Sequence, residues 1–478
     1  MIVLMKADYK PTIGLEIHAE LKTQTKMFCD SKNDPNETRP NVNICPICMG
    51  HPGTLPTINR EAVRHVLRVG MAVGGEIADF TEFDRKNYFY PDIPKGYQIS
   101  QYKYPLVKGG SISGISLSRI HLEEDTARST HENGDYSLID YNRAGLPLME
   151  LVTEPVLTSA KESVAFAREL QLLLQYLEAG EANMEKGEMR VEANVSISSD
   201  KTLGTKVEVK NLNSFRAVER AIDYEIRRQS ELMEKGEEVV QETRGWDESK
   251  GVTFSQRFKE EAEDYRYFPE PDLPKLSLRE VPEFSREALS QGLPELPWQK
   301  RVRLKEYFGL KDEDVEMFVR SNDWSGYFEK VAAILSGNKK ALALSTNYIT
   351  SDYAGLVQRA RKETSLVKIE PKDFAELMIM AEKDEISSRG AKDILKIMFE
   401  KGGRPQEIAK AEGLFQKSDE SELGKTVESV IQKNKDVASD FKAGKPAALQ
   451  YLIGQAMKET KGAANPQVLK KLFEKALS

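Results

Sequence analysis

The sequence predicts a mixed α+β region followed by two helical regions. Short β-like runs alternate with Gly, Pro and Asn turns up to about residue 290, whereas strand patterns are nearly absent from Trp298 onward. A proline-rich segment, 267–297, lies between the two patterns, and proline at that density opposes both helix and sheet. A second break, Lys-Gly-Gly-Arg-Pro at 401–405, divides the helical part. We therefore expect three domains, at 1–294, 295–404 and 405–478.

Within the α+β region, the runs that alternate like strands are 13–17, 115–121, 190–196 and 206–210. Helical patterns cover 59–73, 159–179 and 214–236. Ser159 and Ser214 stand at the starts of the second and third helices, where a serine side chain caps free backbone N–H groups. Gly180 ends the second helix, since glycine readily adopts the backbone conformation that follows a helix.

Composition excludes several classes of protein. The chain has 478 residues, 40% of them hydrophobic and 30% charged, with a formal net charge of −7. No apolar run approaches the ~20 residues needed to span a bilayer, and the segment MIVLMKADYKP lacks the small-residue cleavage site of a signal peptide. Three cysteines are too few for a disulfide scaffold, so we expect a cytoplasmic protein with no membrane partner.

Acidic side chains are concentrated in the segment 123–155. It contains Glu123, Glu124, Asp125, Asp140, Glu150 and Glu154. Two unit charges ~4 Å apart repel by about 1 kcal/mol in water and by about 4 kcal/mol at a surface-like dielectric. If these carboxylates converge in the fold, a cation must hold them, and oxygen-rich clusters favour hard ions such as Mg²⁺.

A second segment, Gly-Leu-Glu-Ile-His at 14–18, has the same chemistry. Strand alternation places Glu16 and His18 on one face and Leu15 and Ile17 on the other. The alternative is an ordinary strand with one solvated face.

The three cysteines leave two alternatives open. Cys45-Pro-Ile-Cys48 has the spacing of half a zinc site, and Cys29 is a third thiol. A structural zinc site needs four ligands, and Asp30 or His51 would have to supply the fourth. Otherwise the thiols are free.

Three further segments have competing interpretations. Gly109–Gly114, GGSISG, resembles an amidase loop, but its strand-like neighbours favour a hairpin turn. The segment 83–98 mixes aromatic and basic residues, as expected of a channel wall or a phosphate and nucleobase site, or of a packed loop. From Phe441 the chain has seven lysines and two glutamates, which indicates a nucleic-acid backbone contact or a solvated helix surface.

Six segments then occur in a fixed order: GLEIHAEL, CPICMGHPGTLPTIN, FDRKNYFYPDIPKGYQISQY, IHLEEDTAR, DYNRAGLPLMELVTEP and DYRYFPEPDLP. Together they resemble the B subunits of the glutamyl/aspartyl-tRNA amidotransferases, the GatB family. The resemblance is specific over residues 10–275, and GKPAALQYLIGQAMKETKGAANP is similar to the tail domain of that family.

The resemblance implies a cradle domain like the glutamine synthetase/guanidino kinase catalytic fold, followed by helical middle and tRNA-binding tail domains. Such a protein uses ATP and Mg²⁺ to phosphorylate the side-chain carboxylate of Glu or Asp on mischarged tRNA. In the heterotrimer, ammonia from the amidase (A) subunit then displaces the phosphate, and the small (C) subunit joins the two large ones. The absence of a G-x-x-x-x-G-K-[ST] motif agrees with this fold.

The resemblance also assigns residues. Glu16, His18, Glu123 and Glu124 match metal-binding positions with a catalytic role, Glu150 is a further ligand, and Glu192 replaces an Asp that serves a second ion. Lys86 is implied in catalysis, and Arg85, Lys86 and Tyr88 in nucleotide-phosphate or channel contacts. The family often has a Cys-x-Cys pair, whereas Cys29 is followed here by Asp30 and Ser31, so the fourth zinc ligand is lost or replaced.

The competing hypothesis is a non-catalytic tRNA-binding assembly protein, supported by the basic tail alone. A binding module has no use for a carboxylate cage, so the Glu16 and Glu123 segments favour the enzyme. A stand-alone glutaminase is disfavoured because the sequence offers no credible nucleophile.

Overall fold

The chain divides into two compact units, one that ends at Pro297 and one that begins at Trp298. This computed structural model describes residues 9–131, 135–200, 202–258, 265–360, 369–416, 420–460 and 464–477. All strands assigned in these ranges lie in the first unit, and the second unit is built of helices. The predicted change from a mixed α+β region to a helical region is therefore confirmed. The predicted division into three domains, at 1–294, 295–404 and 405–478, stays a prediction.

A large, mainly antiparallel sheet forms the first unit. The strands of its described part are β1 (Lys10–Glu20), β2 (Glu76–Ile77), β3 (Phe80–Thr81), β4 (Asp84–Asn87), β5 (Tyr97–Ser100), β6 (Val107–Lys108), β7 (Ser111–Ile112), β8 (Ile115–Glu124), β9 (Arg128–His131), β10 (Ser137–Asp140), β11 (Pro147–Thr153), β12 (Met189–Ser198), β13 (Val207–Leu212), β14 (Glu242–Asp247), β15 (Val252–Phe258), β16 (Phe268–Pro269) and β17 (Leu276–Ser277). The main sheet has the order β15-β14-β13-β12-β1-β11-β8-β6-β2, and β7 pairs with β8 as a hairpin. Only β13 and β14 pair in parallel among these strands.

Four helices of the first unit are described. They are α1 (Arg60–Ala72), α2 (Ala160–Tyr176), α3 (Phe215–Glu234) and α4 (Arg286–Gln291). The Ser159 and Ser214 side chains accept hydrogen bonds from backbone N–H groups in the first turns of α2 and α3. The predicted helices at 59–73, 159–179 and 214–236 therefore exist, with ends that differ by one to three residues.

The two faces of β1 have opposite characters. Leu15, Ile17 and Ala19 are fully buried, while Glu16 and His18 lie on the other face. Helices α2 and α3 pack against each other; α2 contacts β1, and α3 contacts β12 and β13. The apolar face of the central strand thus packs into the core, and its polar face is available for a functional site.

From Pro297 the described part of the chain is helical. Its helices are α5 (Pro297–Phe308), α6 (Asp312–Arg320), α7 (Asn322–Ile334), α8 (Lys339–Asn347), α9 (Ala354–Ala360), α10 (Pro371–Glu382), α11 (Ser388–Lys401), α12 (Pro405–Ala411), α13 (Glu420–Lys433), α14 (Lys435–Lys442), α15 (Pro446–Glu459) and α16 (Pro466–Leu477), with a π-helical turn at Tyr348–Tyr353. α12 packs against α10 and α11, whereas a separate buried cluster from Leu423 to Leu477 joins α13 to α16. Among the described helices, none has the length and apolar character that crossing a bilayer requires.

We expect Ile17→Ala to lower the free energy of unfolding of the first unit by about 2–5 kcal/mol, because it leaves a cavity beneath the central strand. Chemical denaturation followed by circular dichroism measures the change. Lys10→Ala, an exposed position on the same strand, is the control and should change stability by less than about 0.5 kcal/mol. Equal effects of the two substitutions would contradict the central position of Ile17 in the core.

Candidate functional site

Three adjacent strands bring titratable side chains into one row on the polar face of the sheet. In the strand register His18 lies opposite Glu150, and Glu150 lies opposite His121. The Nε2 atoms of His18 and His121 each lie 3.4 Å from Oε2 of Glu150. Glu150 is therefore held between two imidazoles.

Glu123 joins this row from β8. One of its carboxylate oxygens lies 3.6 Å from Nε2 of His18, and the other accepts a hydrogen bond of 3.1 Å from the Ser100 hydroxyl. Glu16 lies 3.9 Å from the His18 imidazole. The described residues place one donor atom of each of Glu16, His18 and Glu150, and likewise of His121, Glu123 and Glu150, within 4.8 Å of one another.

A third group is made of carboxylates alone. Glu16 lies opposite Glu192 in the strand register, and both have donor atoms within 4.8 Å of Glu208 on β13. The Lys210 ammonium lies 2.8 Å from Glu192 and 3.4 Å from Glu208. It offsets part of the negative charge of this group.

These donors fit a divalent cation. Carboxylate oxygens are the ligands that Mg²⁺ and Mn²⁺ take in proteins. Five of the six residues predicted as ligands meet here, namely Glu16, His18, Glu123, Glu150 and Glu192. The assignment of a bound metal to them stays a prediction.

The pKa values of the site residues indicate which side chains carry a proton and so reduce the negative charge of the carboxylates. Burial and the charge of Glu150 raise the pKa of Glu16 to about 8. Burial opposes protonation of His18, but the hydrogen bond and charge of Glu150 outweigh it and raise the pKa of His18 to about 9. Burial also lowers the pKa of His121 to about 4. The His18 imidazolium therefore serves as a counter-ion within the carboxylate group.

The structure separates Glu124 from the other predicted ligands. Glu124 follows Glu123 on β8, and consecutive side chains of a strand point to opposite faces. Its carboxylate lies 2.5 Å from the Lys95 ammonium and accepts a hydrogen bond from the backbone N–H of Ile99. The expectation that Glu124 joins Glu16 and His18 therefore needs correction: its partner is Lys95, on the far side of the strand.

Asp125, Asp140 and Glu154, which the sequence also placed in this acidic segment, lie apart from the site. Asp125 lies 2.8 Å from the Arg190 guanidinium and 3.5 Å from that of Arg143. Burial opposes ionisation, but these two cations lower the pKa of Asp125 to about 2. Asp140 accepts a hydrogen bond from the backbone N–H of Asn41, and Glu154 is exposed. The segment is therefore not one cluster, because its carboxylates divide between the two faces of the sheet and the surface.

A cavity of about 380 Å³ opens beside the carboxylates. Its polar lining includes Glu16, Glu150, His121, Arg119, Lys86, Lys206, Glu208 and Lys210. Tyr102 and Tyr267 also line it, with their rings stacked at a centroid distance of 4.5 Å. Fixed cations thus stand beside a carboxylate group, an arrangement suited to a polyphosphate with its metal ion.

The three residues predicted to contact nucleotide occupy different places. The Lys86 ammonium lines the cavity and lies 4.9 Å from the ring centroid of Tyr265. Burial opposes its charge, but nearby acidic groups, chiefly Tyr267 and Glu123, hold its pKa well above the ordinary value. Arg85 instead forms two hydrogen bonds to the buried Glu270.

Tyr88 lies beside Lys86, with its ring centroid 5.8 Å from the Lys86 ammonium, and burial raises its pKa. Tyr88 is not among the cavity-lining residues, and neither is Arg85. Of the three, the structure therefore brings only Lys86 to the cavity wall.

Sequence reasoning missed His121, Arg119 and Glu208. The signal for two of them was present, because alternation from Glu123 back along β8 places His121 and Arg119 on the same face. Arg119 lies 3.3 Å from Glu150. Glu208 depended on the pairing of β12 with β13, which local sequence does not specify.

The three cysteines do come together. Their Sγ atoms lie within 4.8 Å of one another, and the described Asp and His side chains do not complete the group. The Lys26 ammonium and the Ser31 hydroxyl each lie 3.8 Å from Sγ of Cys48. This donor set is one ligand short of a tetrahedral structural zinc site, so the three thiols do not fit such an ion by themselves.

Two family models match the chain. The model described as the GatB/GatE catalytic domain matches residues 11–282, and the model described as the GatB domain matches residues 326–477. The first match contains all the carboxylates of the site.

Curated relatives align over nearly the whole chain. The B subunit of the aspartyl/glutamyl-tRNA(Asn/Gln) amidotransferase of Caldanaerobacter subterraneus is 43% identical over 480 residues, which cover 98% of this chain and 99% of that protein. The protein of the same name from Moorella thermoacetica is 43% identical, covering 98% of this chain and 100% of that protein. The one from Crocosphaera subtropica is 40% identical, with 99% of each chain covered.

We expect the His18 imidazole to titrate with a pKa of about 9 in protein freed of metal by a chelator, and Glu150→Gln to lower this value. Because the folded pKa lies above the value of about 6.5 for an unfolded histidine, the stabilisation from charged His18 is complete below pH about 6.5 and is lost as the pH rises through 9. NMR titration of the imidazole protons measures the shift. Glu154→Gln is the control, and a Glu150→Gln variant with unchanged His18 titration would refute the pairing.

Proposed function

Because the chain belongs to the GatB family of aspartyl/glutamyl-tRNA(Asn/Gln) amidotransferases, we propose that its polar sheet face activates an amino-acid carboxylate on tRNA with ATP. The observation that carries this proposal is the enclosed group of Glu16, His18, Glu123 and Glu150 beside a cavity with fixed cations. The chain acts as the B subunit of a tRNA-dependent amidotransferase, a glutamine-dependent ligase.

The chemistry requires two displacements. A side-chain carboxylate oxygen of Glu or Asp attached to tRNA attacks the γ-phosphorus of ATP, and ADP leaves. Ammonia then attacks the carbonyl carbon of the acyl phosphate, phosphate leaves with the C–O bond electrons, and the new amide nitrogen loses a proton. Activation is needed because oxide is a poor leaving group, whereas phosphate leaves readily.

The residues of the site have distinct roles in this proposal. The carboxylates of Glu16, Glu123 and Glu150 would hold the divalent ion, and Glu192 and Glu208 a further ion. Mg²⁺ supplies charge neutralisation for the phosphoryl oxygens when it is bound. Lys86, Arg119, Lys206 and Lys210 reach the cavity and would neutralise the remaining phosphate charge.

A finer fold assignment supports the same chemistry. We propose that the antiparallel sheet with its carboxylate face is a cradle of the glutamine synthetase/guanidino kinase type. Such a cradle binds ATP without a P-loop, and the sequence has no such loop. The cofactors in this proposal are accordingly ATP and Mg²⁺.

The partners follow from the reaction. Ammonia must come from elsewhere, so we propose that an amidase (A) subunit supplies it and that a small (C) subunit joins the two, in a cytoplasmic heterotrimer. The exposed lysines of α14–α16 would contact the tRNA backbone. A purely tRNA-binding assembly role is disfavoured, because such a protein would gain nothing from bringing Glu16, Glu123 and Glu150 together and compensating their repulsion.

We expect Glu150→Gln to lower ATP-dependent amide formation on mischarged tRNA by at least about a hundredfold, since it removes charge from the centre of the donor group. Quantification of Gln-tRNA or Asn-tRNA formed by the assembled complex measures this rate. Glutamine hydrolysis by the amidase partner should be unaffected. Glu154→Gln, exposed just beyond the end of the same strand, is the matched control and should retain full activity. Wild-type activity in Glu150→Gln would disprove the proposed site.

We expect the combined change of Lys458, Lys471 and Lys475 to Ala to weaken tRNA binding and to reduce the slope of log affinity against log salt by roughly one unit for each phosphate interaction removed. Filter binding over a range of salt concentrations provides both quantities. The control replaces Lys339 and Lys340, exposed lysines of the middle helical region. A triple variant with unchanged affinity and slope would rule out tRNA binding by the tail.

A further inference from the structure

Lys26 is a buried lysine whose ionisable neighbour is a sulfur. The residue is 0% exposed, and its ammonium donates a hydrogen bond of 3.1 Å to the carbonyl oxygen of Tyr141. In the described part of the chain no carboxylate oxygen lies within 4.0 Å of this ammonium, whereas Sγ of Cys48 lies at 3.8 Å. A buried ammonium is costly without a nearby anion, so the sulfur of Cys48 is the counter-ion that the structure provides.

Two other lysines of the first unit show the ordinary arrangement. The Lys95 ammonium lies 2.5 Å from Glu124, and the Lys210 ammonium lies 2.8 Å from Glu192. Both lysines are less buried than Lys26, and both have a carboxylate partner. Lys26 therefore combines the deepest burial of the three with a thiol as its partner.

The surroundings of Cys48 favour the ionised form of its sulfur. Sγ of Cys48 accepts a hydrogen bond of 3.2 Å from the backbone N–H of Cys45, and the Ser31 hydroxyl lies 3.8 Å away. Hydrogen bonding with Cys29, aided by the charge of Lys26, outweighs burial and lowers the pKa of Cys48 to about 4. The same hydrogen bonding raises the pKa of Cys29. The two sulfurs thus share one proton, with Cys48 as the thiolate and Cys29 as the thiol.

This arrangement takes the place of a metal ion at the three thiols. They supply three of the four ligands of a tetrahedral structural zinc site, and the other side chains that contact Sγ of Cys48 belong to Lys26 and Ser31. Neither lysine nor serine is among the usual ligands of such sites. A thiolate paired with an ammonium is free to act as a nucleophile.

Cavities give small molecules access to the two sulfurs. Cys29 and Cys48 both line a cavity of about 80 Å³, and Cys29 also lines one of about 760 Å³. Since a water molecule occupies about 30 Å³ of liquid volume, the smaller cavity admits a reagent of only a few atoms. Hydrogen peroxide meets that limit, whereas a peptide disulfide such as oxidised glutathione does not.

We propose that Cys48 is a peroxide-reactive thiolate held by Lys26, and that Cys29 resolves its oxidised form as a disulfide. The Cys48 thiolate attacks one peroxide oxygen, the O–O bond breaks, and the departing hydroxide takes a proton to become water. The sulfur of Cys29 then attacks that of Cys48, the S–O bond breaks, and the hydroxyl group leaves as water with the Cys29 proton.

The electrons balance in this sequence. The two thiols lose two electrons in total, and hydrogen peroxide is reduced to two water molecules. An ionised cysteine that can be reached by small molecules and stands beside a resolving cysteine is the usual form of a redox-sensitive site. None of these residues belongs to the carboxylate site, so this chemistry is independent of the proposed function.

The test is peptide mapping of the full chain after treatment with hydrogen peroxide, with free thiols alkylated before digestion. We expect a disulfide between Cys29 and Cys48. In Cys29→Ser, Cys48 should instead stop at the sulfenic acid, which dimedone traps. Cys45→Ser is the matched control and should still form the disulfide, because Cys45 contacts the sulfur of Cys48 through its backbone. Elemental analysis of the purified chain should find no stoichiometric zinc.

The role of Lys26 has its own readout. Lys26→Met keeps a side chain of similar length without the charge, and we expect Cys48 to be oxidised on the order of tenfold more slowly near pH 6, because less of its sulfur is ionised. Lys22→Met replaces an exposed lysine that lines the larger cavity and should leave the rate unchanged. Circular dichroism verifies that each variant is folded, and Lys26→Gln replaces Lys26→Met if it is not.

Three results would overturn the proposal. They are a stoichiometric zinc ion that Cys48→Ser removes, a folded wild-type chain that forms no Cys29–Cys48 disulfide in excess peroxide, and oxidation of Lys26→Met at the wild-type rate. A disulfide between Cys45 and Cys48 in the wild-type chain would refute the role of Cys29. None of these results bears on amide formation, which Glu150→Gln tests separately, so the failure of either proposal can be recognised without the other.

Discussion

Electrostatic repulsion among carboxylates on one face of the central sheet is the constraint on which the site depends. Glu16, Glu123, Glu150 and Glu192 lie on neighbouring strands, and repulsion between such charges reaches several kcal/mol once water is partly excluded. Four strands around them supply positive groups: an imidazole on β1, an arginine on β8, and lysines on β4 and β13. The same balance makes the face receptive to a metal ion and to phosphate, because both are bound by groups already held at fixed positions.

Strand alternation explains both the success and the failure of sequence reasoning at this site. It places Glu16 and His18 on one face of β1, and the structure agrees. The same alternation in residues 120–124 of β8 places His121 and Glu123 on one face and Glu124 on the opposite face. Family resemblance instead grouped Glu124 with its neighbour, and resemblance carries no information on side-chain direction. The physical rule was the better guide.

The fold was predictable where the determinants are local. Helices α1 to α3 were predictable from local signals, which include apolar periodicity, the serine caps of α2 and α3, and the glycines that follow α1 and α2. Sheet order was not predictable, because β1 pairs with β11 and β12, which are more than a hundred residues away along the chain. The placement of Glu192 and Glu208 beside Glu16 depends on that order. The approach of Cys29 to Cys45 and Cys48 also depends on the tertiary fold. The spacing of Cys45 and Cys48, in contrast, was enough to predict that these two thiols lie together.

The shared strand also couples the site to the stability of the core. Ile17 is buried beneath the helices, and His18, the next residue, faces the carboxylates. A slip of one residue in the pairing of β1 would exchange these two faces, so that imidazole and carboxylate would enter the core and aliphatic side chains the site. Apolar burial on one side therefore specifies the register that assembles the charged groups on the other. The free energy gained by burying the apolar side of β1 also helps to offset the carboxylate repulsion that the neighbouring cations leave uncompensated.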